Sequence, residues 1–520
     1  GNPPYSVGQK SGNDNNQNVS YKHLDKTLAD TYVAKSKATL SRNAYDTYIK
    51  AFRWATDRVG DNGVIGFVSN GAYLDGVALD GFRQCLLEEF NSIYVFNLRG
   101  NQRTSGELSR KEGGKIFGSG SRTPVAITIL VKKKGVKKDG FVRYHDIGDY
   151  LSRTDKLNII NEFGSIKNIS WEYLTPNEEH DWLKQRNPNF ANFIALGDKK
   201  KREKVSIYLD NYASGLSTSR DVWVYNFSEE KVKKNSDRMI EFYNFERERC
   251  HQKFSESISQ GLCLSDSKAR ATYIQNVRSN DQTKISWSAG LFNNLCRNIE
   301  IQSNDVKKKV AYRPYCKKFL SYNKDIIERP SRWDSIYPND NIENLVICVS
   351  GAPIKKGFSV LMTNCIQDFH MMENSQSFPL YMYDKIDSKS SSELTLFDFM
   401  KEDVKYTEEY KKRYAISDSA LKKFQEVYGG RVDKESIFYY MYAVLQSKGY
   451  ISTYEDNLSK EMPRIPMLDK FMDYVEIGKK LADLHVNYER TIAPEEAGII
   501  VDIDKQEYNV KKMKFKKQGK

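Results

Sequence analysis

The sequence is poor in the residues that build disulfide frameworks and metal sites. It holds seven cysteines and six histidines in 520 residues, and no two cysteines form a C-x-x-C pair. Cys250 and His251 are the nearest approach to a metal-ligand pair, and adjacent residues are poor co-ligands of one ion. A scattered, odd set of cysteines indicates reduced thiols, and we expect no metal site.

Long apolar runs are absent as well. No stretch of about 18 apolar residues occurs, so we expect no membrane span and no membrane partner. No signal peptide precedes the first motif, which predicts a cytoplasmic location. Hydrophobic residues make up 39% of the chain, enough for a packed core in each of about two to four domains.

Positive charge is in excess. The formal net charge is +13 and the isoelectric point is about 9.0. A basic balance favours a polyanionic partner, although charge alone does not separate DNA from RNA or from a membrane surface. The lysine-rich segment 511–520 is expected to be a frayed tail.

The chain carries Asn2-Pro3-Pro4-Tyr5 near its start. Two consecutive prolines fix φ and donate no backbone N–H, so the turn is stiff and its carbonyls point outward. The Asn2 side-chain oxygen and the Pro3 carbonyl could accept both hydrogens of one exocyclic amino group, and Tyr5 offers a flat face for stacking. The motif predicts a site for an extruded base, with an ordinary Asx-type turn as the alternative.

Strands and helices alternate in residues 1–150, which predicts an α/β sheet. Apolar runs at 63–69, 92–98 and 125–131 indicate strands, and a helical pattern covers 80–90. The alternation then stops. We interpret residues 151–200 as a connector and residues 201–435 as a domain of many short strands. Residues 436–490 are then a helical part, and residues 491–520 are a basic tail.

The segment 97–132 is dense in glycine and arginine. It fails as a Walker loop, because Ser109 and Ile116 stand where glycine and a hydroxyl residue are needed. It fails as a dinucleotide fingerprint, because the third glycine is missing. A basic loop that follows a nucleic-acid backbone fits better than a plain surface loop. We therefore predict DNA contacts from Arg99, Arg103, Lys115 and Arg122.

Two aromatic and basic clusters, at 312–318 and 329–333, suit a nucleic-acid surface and nominate Arg313 and Arg332. The alternative is core packing of the aromatic rings beneath snorkelling cations. A nuclease-like spacing of Asp221, Glu229 and Lys231 is also present, but such matches recur by chance in a chain with 29% charged residues. A nuclease is the weakest alternative.

Asn2–Tyr5 resembles the catalytic motif of amino-group DNA methyltransferases, and the whole chain resembles the C-terminal part of type ISP restriction-modification enzymes. The resemblance runs from end to end. It is carried by residues 1–9, 45–55, 63–76, 96–132, 144–151, 219–228, 311–322, 328–333, 344–351, 378–384, 437–450, 463–466 and 478–489.

The resemblance implies a gamma-class, site-specific adenine-N6 DNA methyltransferase that flips its target base. It implies a partial Rossmann-like methyltransferase sheet lacking its N-terminal strands, followed by an α+β target recognition domain with a helical C-terminal part. The catalytic residues would be Asn2, Pro3, Pro4 and Tyr5, the cofactor S-adenosyl-L-methionine and the partner double-stranded DNA. The family's cofactor loop, nuclease and ATP-driven translocase have no counterpart in this sequence, so we expect them in upstream segments.

Two other functions stay open at this point. The chain could be a non-catalytic DNA-binding specificity fragment, because the glycine-rich cofactor loop is absent. It could also be an RNA or protein methyltransferase, because similar catalytic turns accept other planar amides and amines. The roughly 300 residues after the α/β part favour a large duplex-reading module.

Overall fold

The computed structural model describes residues 1–4, 20–38, 42–118, 121–199, 203–261, 267–354, 356–386, 404–406 and 409–491. The strands are Asn62–Asn70 (β1), Ser92–Arg99 (β2), Val125–Lys133 (β3), Val142–Asp146 (β4), Glu172–Leu174 (β5), Ile194–Gly197 (β6), Ser206–Tyr208 (β7), Ala213–Ser214 (β8), Tyr225–Asn226 (β9), Lys307–Arg313 (β10), Cys316–Ser321 (β11), Val346–Val349 (β12), Val360–Thr363 (β13), Ile366–Gln367 (β14), Gln376–Pro379 (β15), Tyr381–Lys385 (β16), Val404–Tyr406 (β17), Tyr410–Tyr414 (β18) and Arg464–Ile465 (β19).

The α-helices are Lys22–Leu28 (α1), Thr47–Thr56 (α2), Asp80–Glu89 (α3), Gly106–Glu112 (α4), Arg153–Phe163 (α5), Asp221–Val224 (α6), Glu229–Ser259 (α7), Ser267–Val277 (α8), Ala289–Cys296 (α9), Asp418–Tyr428 (α10), Lys434–Gln446 (α11), Lys448–Thr453 (α12), Glu455–Lys460 (α13) and Phe471–Val486 (α14). Short 3-10 or π turns lie at Ala29–Val33, Arg42–Tyr45, Gly71–Tyr73, Val77–Leu79, Ile166–Asn168, Pro188–Asn192 and Trp333–Ser335.

The first five strands form one sheet in the order β1-β3-β2-β4-β5. β3 is antiparallel to both β1 and β2, while β4 runs parallel to β2. The parallel strands β1, β2 and β4 therefore end at one side of the sheet, at Asn70, Arg99 and Asp146. We call this side the carboxyl edge. Ligands of open α/β sheets bind at such edges.

Helices cover this sheet because their apolar residues recur on one side. In α3, Phe82 and Leu86 are fully buried one turn apart and pack with Phe52 of α2 against Ile93 and Val95 of β2. The opposite face is covered by α5, whose start is fixed by a capping box between Ser152 and Asp155. We call residues 1–182 the N-terminal unit.

The described residues between 188 and 491 form the C-terminal unit, and they contain four small sheets around one core. Their strand orders are β14-β10-β11-β9, β13-β12-β15-β8, β16-β18-β17 and β19-β6-β7. Trp333, Tyr208 and Tyr440 are each completely buried in this core. Helices α7, α9, α10, α11 and α14 contribute to the same core, so the helical end of the chain is not a separate body.

The structure confirms the strands expected at 63–69, 92–98 and 125–131 and the helix expected at 80–90. It differs in the stretch interpreted as a connector, where α5 packs on the first sheet and β5 extends it. Helices α7, α8 and α9 lie where only short strands were expected.

Of the basic tail, only Thr491 lies within the described residues. No helix in the described ranges has the length and apolar character that crossing a membrane requires.

Candidate functional site

Gly1 extends the first sheet beyond β1. Its amino nitrogen donates to the Gly66 carbonyl at 2.7 Å, and the Val68 N–H donates to the Gly1 carbonyl at 2.9 Å. Two bonds that straddle Phe67 in this way are the pattern of a parallel ladder. Asn2 and Pro3 therefore follow Gly1 toward the carboxyl edge.

The described part of the motif has one anchored and two exposed residues. Pro3 is buried, whereas Asn2 and Pro4 are exposed. A buried proline with fixed φ holds the turn against the sheet, which leaves the Asn2 amide open to a ligand. Tyr5, the expected stacking residue, lies outside the described residues.

Arg99 stands at the end of β2 on the same edge, but its charge is already compensated. Its Nε donates to Asp146 at 2.7 Å, and Nη1 pairs with Asp149. Partial burial opposes its charge, yet the hydrogen bonds to these two carboxylates raise the pKa of Arg99. Arg99 therefore shapes the carboxyl edge and contributes little free positive charge.

The loop that follows Arg99 folds back on itself. The Gln102 N–H donates to the Arg122 carbonyl at 3.0 Å, and the Arg122 guanidinium donates to the Gln102 carbonyl at 2.9 Å. Arg103 is exposed next to this contact, and Lys115 is half-buried where the loop passes Gly100. The loop thus brings Arg103 and Arg122 together on the surface beside the carboxyl edge.

A buried lysine fixes this loop from below. The Lys156 ammonium, fully buried on α5, donates to the carbonyls of Leu98, Glu112 and Gly114 at 2.9, 2.7 and 3.0 Å. Burial lowers the pKa of Lys156 to about 8. The loop backbone lies so close to the start of α5 that a Cβ on Gly114 would lie 2.5 Å from the Arg153 backbone nitrogen. Sequence reasoning did not find Lys156, because a lone lysine in a polar helix carries no pattern.

Arg313 lies in a partly exposed hydrogen-bonded network of the C-terminal unit. Its guanidinium donates to Asp368 at 2.9 Å and stacks 3.9 Å from the Tyr312 ring centre. Tyr312 donates to Asp221 at 3.1 Å, and Tyr225 donates to Asp368 at 3.0 Å. Burial raises the pKa of Asp368. The Arg313 charge is therefore shared with two carboxylates.

Arg332 lies apart from that network. It is exposed, and its guanidinium donates to the Asp210 carbonyl at 2.7 Å. The aromatic and basic character near Arg313 does reach the surface, at exposed Phe227, where Lys318 lies 5.1 Å from the ring centre. Of the two predicted arginines, Arg313 pairs with carboxylates, whereas the contact of Arg332 is to a backbone carbonyl.

The nuclease-like triad is not assembled. Asp221 accepts from Thr218 and Tyr312, whereas Glu229 and Lys231 begin helix α7. In the portion of the chain that the structure covers, no three histidine, cysteine or acidic side chains are grouped so that they could hold a metal ion. A metal-dependent nuclease has no support in this geometry.

Comparison with known proteins gives one family. A family model described as Type ISP C-terminal specificity domain matches residues 208–520. A nuclease-deletion mutant of the type ISP restriction-modification enzyme LlaGI, in complex with a DNA substrate mimic, is 40% identical and has a TM-score of 0.76. The comparison covers 94% of this chain and 41% of the deletion-mutant chain.

Two further solved structures are also similar to this chain. The ATP-dependent type ISP enzyme LlaBIII bound to DNA is 34% identical with a TM-score of 0.76, over 95% of this chain and 30% of that protein. The DrdV–DNA complex is 30% identical with a TM-score of 0.74, over 95% of this chain and 44% of that protein. This chain thus spans less than half of each solved relative, and no curated protein matches it. The chain belongs to the type ISP family, and residues 208–520 are its C-terminal specificity domain.

Proposed function

We propose that this chain is the target-reading and base-accepting part of a type ISP enzyme, acting on adenine N6 in duplex DNA. One observation carries the proposal: Gly1 pairs in parallel with β1, so Asn2 and Pro3 reach the carboxyl edge of an α/β sheet. A surface with Arg103 and Arg122 lies beside that edge.

The chemistry follows from the turn. The adenine N6 lone pair is delocalised into the ring, which makes this nitrogen a weak nucleophile. If Asn2 and the Pro3 carbonyl accept both N6 hydrogens, the nitrogen moves toward sp³ and the pair becomes localised. The buried Pro3 holds the two acceptors in a fixed relation, so positioning supplies much of the rate.

The base must first leave the duplex. Extrusion costs a few kcal/mol, and stacking on an aromatic ring such as Tyr5 offsets ~1–3 kcal/mol of that cost. The net charge of +13 attracts the phosphate backbone, and the solved relatives are enzymes in complex with DNA. Duplex DNA is therefore favoured over RNA or protein as the substrate.

S-adenosyl-L-methionine is the methyl donor that the resemblance implies, and the described residues do not compose its site. A cofactor of this size needs a glycine-rich turn after a parallel strand. The described connection after β1 holds Gly71 and Gly76 five residues apart, and the turns after β2 and β4 hold Gly100 and Gly148 without a neighbouring glycine. A Cβ on Gly100 would already lie 3.2 Å from the Gly114 carbonyl oxygen, so this turn is packed against protein. We derive no step through the donor.

Methylation mapping tests the proposal. The longest reading frame that contains this chain is expressed in methylation-free cells, and the recovered plasmid is mapped for N6-methyladenine. We expect methylation at one recurrent sequence, lost in Asn2→Ala and kept in Asn161→Ala, an exposed asparagine of α5. Duplex binding by Asn2→Ala should stay within about threefold of the parent, because the turn contacts only the extruded base.

A second function, DNA-binding specificity without catalysis, is favoured by the extent of the family match. That match begins at residue 208 and leaves the N-terminal unit outside it. The same experiment separates the two functions. An unmethylated plasmid, together with sequence-specific duplex binding by the purified protein, would establish the non-catalytic reading.

A further inference from the structure

A single buried carboxylate gathers three cations where the two units meet. Asp181 is 1% exposed. It lies 2.8 Å from Arg186 Nε, 3.0 Å from Lys460 Nζ and 3.5 Å from Arg83 Nη2. Burial alone would raise the pKa of Asp181, but the hydrogen bond from Arg186 and the charge of Lys460 hold it below its usual value.

These four residues come from three separate parts of the chain. Arg83 belongs to α3 of the N-terminal unit, and its guanidinium also donates to the carbonyls of Tyr73 and Gly76 at 2.9 and 2.8 Å. Asp181 precedes Trp182, which is buried in the core of that unit. Lys460 ends α13, a helix of the C-terminal unit.

Polar contacts on either side reinforce the junction. The Asn187 N–H donates to the Asn457 side chain at 2.8 Å, and the Asn457 amide donates back to the Asn187 carbonyl at 3.2 Å. Lys184 reaches the N-terminal unit at Asp75, with 2.8 Å between the charged atoms. A hydrogen-bonded seam therefore runs through the buried charge cluster.

A cluster of this kind fixes orientation more than it adds affinity. Charged groups out of water need every partner in place, because a cation without its carboxylate is heavily penalised. Lys460 and Arg83 are both buried, and neither can turn to solvent without a rearrangement of the junction. An apolar interface tolerates small shifts, whereas buried charges lose their partners when the two sides move.

We propose that Asp181 and Lys460 form a latch that holds the Asn2–Pro3 turn in register with the DNA site read by the C-terminal unit. The catalytic consequence rests on the function proposed above, whereas the rigidity of the junction does not. Asp181 and Lys460 are positioning residues, remote from the reacting atoms.

Distance measurement tests the latch without DNA or activity. Spin labels are attached through Glu162→Cys on α5 and Lys480→Cys on α14, both exposed positions, with the unsubstituted protein as the labelling blank. We expect one narrow distance distribution. In Lys460→Met it should broaden at least about twofold, because units without a fixed contact move relative to each other. Lys460→Arg should restore the narrow distribution, and Lys423→Met, at an exposed position of α10, should leave it unchanged.

Methylation by the same variants tests the consequence. In Lys460→Met we expect the methylation rate to fall about tenfold or more while the affinity for the recognition sequence stays within about threefold. An equally narrow distribution in Lys460→Met would overturn the latch, and so would equal broadening in Lys423→Met. A broadened distribution in an enzyme whose methylation is unchanged would overturn the positioning role. If neither the parent protein nor any variant methylates DNA, the distance measurement still tests whether Asp181 and Lys460 fix the junction.

Discussion

The two units of this chain are built from contacts of opposite range. In the N-terminal unit, β1, β3 and β2 pair with each other within residues 62–133. In the C-terminal unit, β6 pairs with β19, at Ile194 and Ile465, and β8 pairs with β15. A sheet made from neighbouring segments keeps a readable pattern, whereas a core assembled across the chain hides it.

The units also differ in what their basic residues do. In the N-terminal unit, exposed Arg103 and Arg122 lie on a loop held from below by Lys156. In the C-terminal unit, the partly exposed Arg313 is paired with the buried Asp368. Arg103 and Arg122 therefore lie on a candidate DNA surface, whereas the charge of Arg313 is offset by carboxylates.

The largest expected effect tests whether α7 belongs to the C-terminal core. Met239→Ala should lower the free energy of unfolding by about 2–5 kcal/mol, because it empties a fully buried site. Phe245→Ala, on the exposed side of the same helix, should change it by less than about 0.5 kcal/mol. Urea unfolding measures both. Similar small changes would show that α7 is not packed as described.

A smaller effect should come from Lys156 in the N-terminal unit. Its pKa is about 8 when folded and about 10.4 when unfolded, so between these values the unfolded chain binds the extra proton. The stability of the parent relative to Lys156→Met should therefore be constant below pH 8. It should increase, on the order of 1–3 kcal/mol, as the pH rises from 8 to 10.5. Denaturant titrations across this range check it, and a flat difference contradicts it.

The smallest expected effect is a difference in the salt dependence of DNA binding between a variant of an exposed arginine and a variant of a paired arginine. Arg103→Ala should reduce the slope of log affinity for duplex DNA against log salt by about 1, as for one lost phosphate contact. Arg313→Ala should leave the slope unchanged, because Asp368 and Asp221 already offset its charge. Fluorescence anisotropy at several salt concentrations gives both slopes. Equal slopes for the two variants would remove the distinction between the units.

The sequence was sufficient for elements whose apolar pattern is local. The helical part expected at 436–490 is present as α11, α12, α13 and α14. The 31-residue helix α7 was not predicted, because its buried side includes Ser236 and Glu246 among the apolar residues and its overall composition is highly charged. A charged helix with a narrow buried stripe looks like a solvated segment until its partners are known.

For the candidate site, the stiff turn at Asn2–Pro4 could be predicted from the sequence, because proline stiffness and amide acceptors are local properties, and its catalytic role stays a prediction. The junction at Asp181 could not, since its partners lie about a hundred residues before it and 279 residues after it, at Arg83 and Lys460. Buried ion pairs join residues that no local pattern connects. Lys156 was missed for the same reason.

Base extrusion tests the central claim most directly. The chain is bound to a duplex carrying its selected recognition sequence, with 2-aminopurine in place of each adenine in turn, and the fluorescence of the analogue is recorded. We predict a strong increase at one position, because the extruded base loses its stacking neighbours, and loss of that increase in Asn2→Ala with binding retained. Sequence-specific binding without an increase at any position would contradict the account.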